Sequence, residues 1–434
     1  MNWLKFLAVF AFIVLICNAC GEDRTYEYNA KTERNHWMMD VMKRNYLWAD
    51  SIVEDKVDWQ KYFTKPNSFL AELTKFAPVT DSWSWCSIDT LNEDYHNRGF
   101  FNHVESYGLD FVVMTDPTRA TSRQYARVMS ILPDSPADRC GLERGDFILS
   151  VDGNKFTSSM TDKLVSGKQR SLTVADVDIS DDGTEFVWTE EKNLIMDKSE
   201  WVEDIPYPVV KSFLVDDNKL GYLMCNSLSE HPLGNDSHSD SYNDELNNCM
   251  AILKTQSPNI LIVDFRLCNW GTIEMADKFA SFLLNYSFAG DVFAHTIYNK
   301  HRESDNNIYL FDDFALNNAL GVSDVFFITS EYTAGAAEWV IRAARATLGD
   351  EHVFVVGMTT KGQIVMTEDI ASDYYVTLHP AVALVADKNG EYDYLGGIKP
   401  DLQIDERSVV KLYPYGDSEE VLLKSVLDEI EAMF

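Results

Sequence analysis

Apolar and polar positions fall into different patterns along this chain, and the changes between them divide it. Near the start, Trp37, Met38, Val41, Met42, Asn45 and Tyr46 recur at helical spacing, which predicts a helix with an aromatic core face. A second helix is expected from Pro66, with Ser68 as its cap. Farther on the elements become short. Residues 128–132 read as a strand, 134–142 as a small helix with a capped start and a glycine end, and 145–153 as a strand and turn. Between 166 and 208, strand-like pieces alternate around the Asp181-Asp182-Gly183 turn and predict a β-ribbon linker. From 219 onward come continuous apolar runs at 219–224, 259–264, 325–330 and 353–357. Such runs suit strands buried on both faces, hence a mostly parallel sheet. Helices are expected at 244–255, after 335 and from Asp417. The fold class is therefore α+β or α/β and multidomain. A leader spans 1–20, a small helical N-terminal region 21–98, a β domain 99–165, a linker 166–210 and an α/β core 211–434.

Length and composition agree with this division. A chain of 434 residues can hold two or three cores, and 46% hydrophobic with 12% aromatic residues describes a globular protein. The formal charge of −32 repels phosphates and no basic cluster offsets it, so nucleic acid is excluded as a partner. The leader has Lys5 followed by an apolar run from Phe6 to Ile16, too short to span a bilayer. It ends in Cys17-Asn18-Ala19-Cys20-Gly21, which resembles a bacterial lipoprotein cleavage site with Cys20 as the acylated residue. The acidic Glu22-Asp23 that follows resembles an outer-membrane sorting signal. The expectation is an outer-membrane lipoprotein on the periplasmic or cell-surface side, held by an N-terminal lipid anchor. An ordinary secretory signal is the alternative.

The remaining cysteines, Cys86, Cys140, Cys225, Cys249 and Cys268, are odd in number and include no Cys-x-x-Cys. They describe neither a disulfide framework nor a zinc site and are read as buried small residues. His231 and His238 lie in a polar loop without ligand spacing, so no metal and no cofactor is expected.

The chemistry of the core turns on three segments. Residues 325–330 lead into Thr333-Ala334-Gly335-Ala336-Ala337-Glu338, small residues opening a helix. A nucleophile placed there would sit beside free backbone N–H groups. With Gly357, Thr360 and Gly362, and with Asp264, Arg266 and Gly271, this stretch resembles the tail-specific, or C-terminal processing, serine peptidases. The resemblance implies a crotonase-like core. In that family a Thr-Ala-Ser-Ala-x-Glu turn carries the nucleophile, Gly-x-x-Thr-x-Gly-Lys carries the base, and Asp-Leu-Arg-x-Asn-x-Gly-Gly contributes an oxyanion amide. Here Gly335 stands at the serine position and Gln363 at the lysine position. Cys268, Asn269, Trp270 and Gly271 form the oxyanion loop, with cysteine in place of asparagine and tryptophan in place of a glycine. A glycine has nothing to attack with, and a glutamine amide does not take a proton at neutral pH. The expected protein keeps the fold without the intact catalytic set. Ser330 or Thr333 with Lys361, two residues before Gln363 on an extended segment, are the candidate substitutes for an active endopeptidase. Cys268 is a further candidate nucleophile.

The β domain resembles a PDZ domain through Asp134-Ser135-Pro136-Ala137, Cys140-Gly141-Leu142 and Gly145-Asp146-Phe147-Ile148. Tyr107, Gly108, Leu109, Asp110 and Phe111 then occupy the carboxylate-binding loop. The resemblance implies that a peptide or protein C-terminus adds as a strand beside it. A purely structural scaffold with a closed groove is the alternative. The Asp81-Ser82-Trp83-Ser84-Trp85 stretch is similar to the helical region that precedes the PDZ domain in such peptidases.

Overall fold

The computed structural model describes residues 25–59, 65–88, 103–180, 186–232 and 241–433. Cys20 and His238 lie outside them. Two compact units result, one made of Met1–Glu93, Tyr298–Asp305 and Thr367–Ala383, the other of the remaining chain.

In the first unit, helix α1 (Thr25–Asn45) and the residues just after it bury Met38, Met42 and Tyr46 fully, as the helical spacing predicts. Helix α2 (Pro66–Thr74) begins at Pro66, with Lys65 rather than Ser68 at the N-cap. Proline's fixed φ and missing N–H suit a first turn, so no side-chain cap is needed there. Strand β1 (Trp85–Ile88) pairs antiparallel with Val376–His379, which in turn pairs with Ile370–Ala371. The N-terminal region is thus completed by two later pieces that the sequence pattern assigned to the core. One of them contributes Asn299, whose amide donates to the carbonyls of Arg44 at 3.0 Å and Tyr46 at 2.8 Å. Carbonyls at a helix end have no intrahelical donor, and Asn299 supplies one.

The second unit opens with an antiparallel sheet. Its strands are β2 (Leu109–Thr115), β3 (Gln124–Ile131), β4 (Phe147–Val151), β5 (Arg170–Ala175) and β6 (Lys192–Met196), in the order β6-β5-β4-β3-β2. The short helix α3 (Pro136–Arg139) is capped by Ser135, whose Oγ accepts the Asp138 N–H at 3.2 Å. Residues 166–210 are therefore not merely a linker. Leu172, Val174 and Met196 join Val128, Ile148 and Val151 in one core, while the intervening Ser171 and Thr173 face outward. Only Val177–Ile179 and Phe186–Trp188 form the expected ribbon.

The larger sheet contains β7 (Val209–Val215), β8 (Asn218–Met224), β9 (Ile260–Asp264), β10 (Asp324–Thr329), β11 (Val353–Gly357) and β12 (Leu402–Gln403), in that order. The pair β7 and β8 is antiparallel and all other pairs are parallel. Every residue of β9 and β10 is buried, as their unbroken apolar runs require. Helices α4 (Ser241–Gln256), α5 (Ile273–Leu283) and α6 (Ala336–Leu348) alternate with the strands. The closing helix α7 (Val421–Met433) packs Leu422, Leu423, Val426 and Ile430 on Ile260, Ile262, Phe326 and Ile328. No described helix is long and apolar enough to cross a membrane.

Arg127, Arg144 and Arg266 of this unit all have acceptors. Arg266 is fully buried and reaches three carboxylates, with its Nη2 2.7 Å from Asp264, and its Nη1 2.7 Å from Glu406 and 2.8 Å from Glu420. Arg144, on the loop between α3 and β4, contacts Glu406 at 2.5 Å. The Tyr415 ring lies under both guanidinium groups, at 4.2 Å from Arg144 and 4.9 Å from Arg266. Arg127 of β3 donates to the Val409 and Val410 carbonyls. The small sheet and the segment before α7 are fastened by these bonds. A buried charge without such partners would cost several kcal/mol.

Asp277 of α5 lacks a cation partner. Burial pushes its carboxyl up to about 7, although it accepts from Ser281 Oγ and the Asp312 N–H, each at 3.2 Å. A folded-state value above the unfolded one favours the native state at low pH, and that advantage fades as pH rises towards 7. Asp277→Asn keeps both acceptor contacts without the charge. Its melting temperature is expected to match the wild type near pH 4 and to exceed it by several degrees near pH 8. Parallel melting curves across this range would contradict the assignment.

Candidate active site

The parallel sheet delivers three segments to one place. Strand β10 ends at Thr329 and the chain turns through residues 330–335 into α6, strand β9 ends at Asp264 and continues into 265–271, and β11 ends at Gly357 before 358–363. Ala334 N–H donates to the Cys268 carbonyl at 3.0 Å and Lys361 N–H to the Thr333 carbonyl at 2.9 Å, so backbone bonds hold all three together.

Gly335 caps α6 with φ +55° and ψ −115°, a conformation that side chains rarely adopt. A β-carbon at Gly335 would lie 3.3 Å from both Cδ and Nε2 of Gln363. Gly335 and the Gln363 side chain therefore face each other at close range. The Gln363 amide is itself engaged, donating to the Val365 carbonyl at 3.3 Å.

Glu338, in the first turn of α6, organises this pair. Its carboxylate accepts the N–H groups of Gly335 at 2.9 Å, Gly362 at 2.6 Å and Gln363 at 2.8 Å, and the Thr360 hydroxyl at 2.5 Å. Burial holds its carboxyl above the usual glutamate range even against those four donors. Sequence reading recorded Glu338 only as a motif match. Its role as hub becomes visible because donors from two distant segments converge on it.

The loop of residues 268–271 is packed tightly. A β-carbon at Gly271 would lie 2.6 Å from Leu228 Cβ and 2.7 Å from Ala336 Cβ, so only glycine fits between the loop and the start of α6. Trp270 is half-buried, and its carbonyl accepts the Leu228 N–H at 2.9 Å. Asn269 is half-buried beside it. Cys268 is buried next to Cys225, whose thiol is raised first by its own burial and then by Cys268. Among the described residues, Cys86, Cys140 and Cys249 are free thiols too. Burial pushes Cys249 up to about 11 and Cys86 up to about 12, far from thiolate reactivity at neutral pH.

The hydroxyls of the candidate substitutes have backbone partners. Ser330 Oγ donates to the Arg266 carbonyl at 2.5 Å and accepts the Tyr332 N–H at 3.0 Å, which makes it a turn-stabilising hydroxyl. Thr333 is fully buried and donates to the Phe265 carbonyl at 2.9 Å. Lys361 is exposed. The intervening Gly362 has φ +81°, so the segment is not an extended strand and the alternation that would align Lys361 with Gln363 does not apply. Among the described residues, no cluster of metal-ligating side chains is present.

The expected carboxylate loop has its own geometry. Tyr107 is buried, and Gly108, at φ +74°, would place a β-carbon 2.2 Å from Ser135. Three of its amides already have acceptors. Tyr107 N–H donates to the Val165 carbonyl at 3.1 Å, Gly108 N–H to Ser106 Oγ at 3.0 Å, and Phe111 N–H to Asp110 Oδ1 at 3.0 Å. Leu109 and Phe111 pack on the domain core, whereas Asp110 turns towards a recess shared with Tyr332, Arg407 and Tyr415. Strand β2 is the edge of its sheet.

Comparison with known proteins agrees with this architecture. Residues 33–85 match the peptidase S41 N-terminal domain and residues 127–176 match the PDZ domain. No curated protein matches the sequence. A Bacteroides fragilis NCTC 9343 protein classed as an S41 protease superposes with a TM-score of 0.81 at 24% identity, over 92% of this chain and 97% of that one. The photosystem II D1 C-terminal processing protease is a more distant likeness, with a TM-score of 0.49 and 15% identity over 92% of this chain and 98% of that one. The chain joins an S41-type N-terminal domain and a PDZ domain to the α/β core of an S41 protease fold.

Proposed function

We propose that this chain is a non-cleaving relative of the tail-specific peptidases, an envelope lipoprotein that binds protein segments. The observation that carries the reading is the opposition of Gly335 and Gln363 within a fully formed Glu338 cradle. Where nucleophile and base act as a unit, losing them removes several powers of ten in rate. The PDZ domain retains an open-edged strand, β2, on which a peptide adds by backbone bonding. Placement in the outer membrane rests on the lipoprotein-like Cys17–Cys20 segment, with Cys20 as the residue to be acylated, and on the acidic Glu22-Asp23 that follows.

Asp110 sharpens the binding reading. Its carboxylate already holds the Phe111 N–H and adds a negative charge where a peptide carboxylate would arrive. Peptide C-termini bind by displacing it, and Asp110→Asn is expected to tighten their binding roughly fivefold, the effect of removing about 1 kcal/mol of repulsion. Titration of a C-terminal peptide library against both proteins measures this. Equal affinities, or no binding by either, would overturn the carboxylate reading and leave the scaffold role.

The silent cleft has its own test. Unfolded casein should survive the wild-type protein, and Gly335→Ser with Gln363→Lys should not restore efficient cleavage, because Trp270 still stands at the oxyanion side. Casein cleavage by the wild type that disappears in Ser330→Ala or Lys361→Ala would restore the peptidase reading. Robust cleavage by the double variant would show that Trp270 is no obstacle.

A further inference from the structure

Another set of reactive side chains lies in the first unit. Strand β1 and Val376–His379 pair so that Trp85 stands opposite His379 and Ser87 opposite Thr377. Alternate residues of a strand share a face, which places Ser87 diagonally beside His379 on one side of the sheet. Ser87 Oγ lies 3.1 Å from His379 Nε2, and His379 Nδ1 lies 2.6 Å from Asp369 Oδ1. The Trp85 ring stacks on the imidazole at 3.6 Å with planes 5° apart. The ring is therefore held in plane by stacking and in rotation by the aspartate.

These contacts set the chemistry of the ring. A carboxylate on Nδ1 selects the tautomer that carries its proton there, leaving the Nε2 lone pair to accept the Ser87 hydroxyl proton. Hydroxyl, imidazole and carboxylate in that order are the linkage of nucleophile, base and orienting group. A histidine that merely fills a core needs no such chain, yet here both ring nitrogens are spent on side chains and one of these is a hydroxyl. The strand adds a donor. Cys86 N–H donates to Asn67 Oδ1 at 3.1 Å, away from the partner strand, so by antiparallel alternation the amide at position 88 also turns outward. Among the described residues strand β1 is the edge of its sheet, and the N–H following Ser87 faces that edge.

We propose that Ser87, His379 and Asp369 form an acyl-transfer site that hydrolyses small acyl esters. Ser87 Oγ bonds to the ester carbonyl carbon while its proton passes to His379 Nε2. Collapse of the adduct breaks the bond to the alcohol oxygen, which leaves with that proton. Water then attacks the acyl-serine in the same way, giving the free acid and restoring the Ser87 hydroxyl. Ser87 is half-buried and Asp369 largely exposed, which suits a small substrate approaching from solvent.

The test uses the full chain with 4-nitrophenyl acetate as substrate and a fluorophosphonate as the serine label, mapped by peptide mass spectrometry. The label should reside on Ser87. Ser87→Ala should lose at least about 100-fold in ester turnover and Asp369→Asn about 10-fold or more. Ser330→Ala should keep both label and turnover, since that hydroxyl stabilises a turn. Ser87→Ala removes one surface-near hydroxyl, so its melting temperature should stay within a few degrees of the wild type and report a folded protein. Labelling that is absent or falls on another serine would overturn the proposal, as would wild-type turnover in Ser87→Ala.

Discussion

Replacing Arg266 with alanine is expected to destabilise the second unit by about 3–5 kcal/mol, a fall of roughly 10 °C in its melting temperature. The guanidinium is fully buried and serves Asp264, Glu406 and Glu420 together. Its removal leaves Asp264, Glu406 and Glu420 with only Arg144, which reaches Glu406 and Glu420, to offset their charge. The loss should depend on pH. Burial alone would push Glu420 up, but Arg266 and then Arg144 hold it below the usual glutamate range. A depressed carboxylate stabilises the native state above its unfolded pKa, and that contribution is lost as pH falls through the folded value. Without Arg266 the burial effect is opposed only by Arg144 and the Leu423 N–H and Glu420 rises, so the variant tolerates acid better in relative terms. Melting curves from about pH 8 down to 5 should show the gap to wild type narrowing. A gap that is constant, or below about 1 kcal/mol, would mean that the cluster is not electrostatically coupled.

Glu338→Ala should be nearly as damaging, about 4 kcal/mol or more. Four donors converge on that carboxylate, and alanine leaves the Gly335, Gly362 and Gln363 amides and the Thr360 hydroxyl unsatisfied in a buried place. Hydrogen exchange offers the sharper readout. Amides at 335, 362 and 363 should exchange faster by orders of magnitude, while those of β9 change little. Unaltered protection at these three positions would show that the backbone around the cleft is held by other bonds. The wild-type arrangement also explains how the cleft keeps its shape, because the hub is a carboxylate on α6 that gathers donors from two other segments.

The legibility of this fold in its sequence varied with the range of the interactions involved. Strands β9, β10 and β11 were plain because burial on both faces demands an unbroken apolar run, such as Ile260–Asp264. The proximity of Gly335 and Gln363 was legible because the small residues and glycines around them follow a recognisable pattern. Strands β5 and β6 were missed as members of the small sheet. Their alternation of Leu172 and Val174 with Ser171 and Thr173 says half-buried strand without saying which sheet receives it. The same limit hid the pairing of Ser87 with His379 and the convergence of Glu406 and Glu420 on Arg266. Neither has a local spacing to read, since each is created by residues brought together only by the folded chain.

The first unit is closed by a strand that is made very late. Ser87 and its partner His379 are 292 residues apart in sequence. During synthesis from the N-terminus, α1 and β1 therefore emerge long before the segment that covers them exists. Loop closure over such a span makes the docking of Val376–His379 a slow, late event in assembly. Until it happens, the inner edge of β1 is unpaired and open to the wrong neighbours.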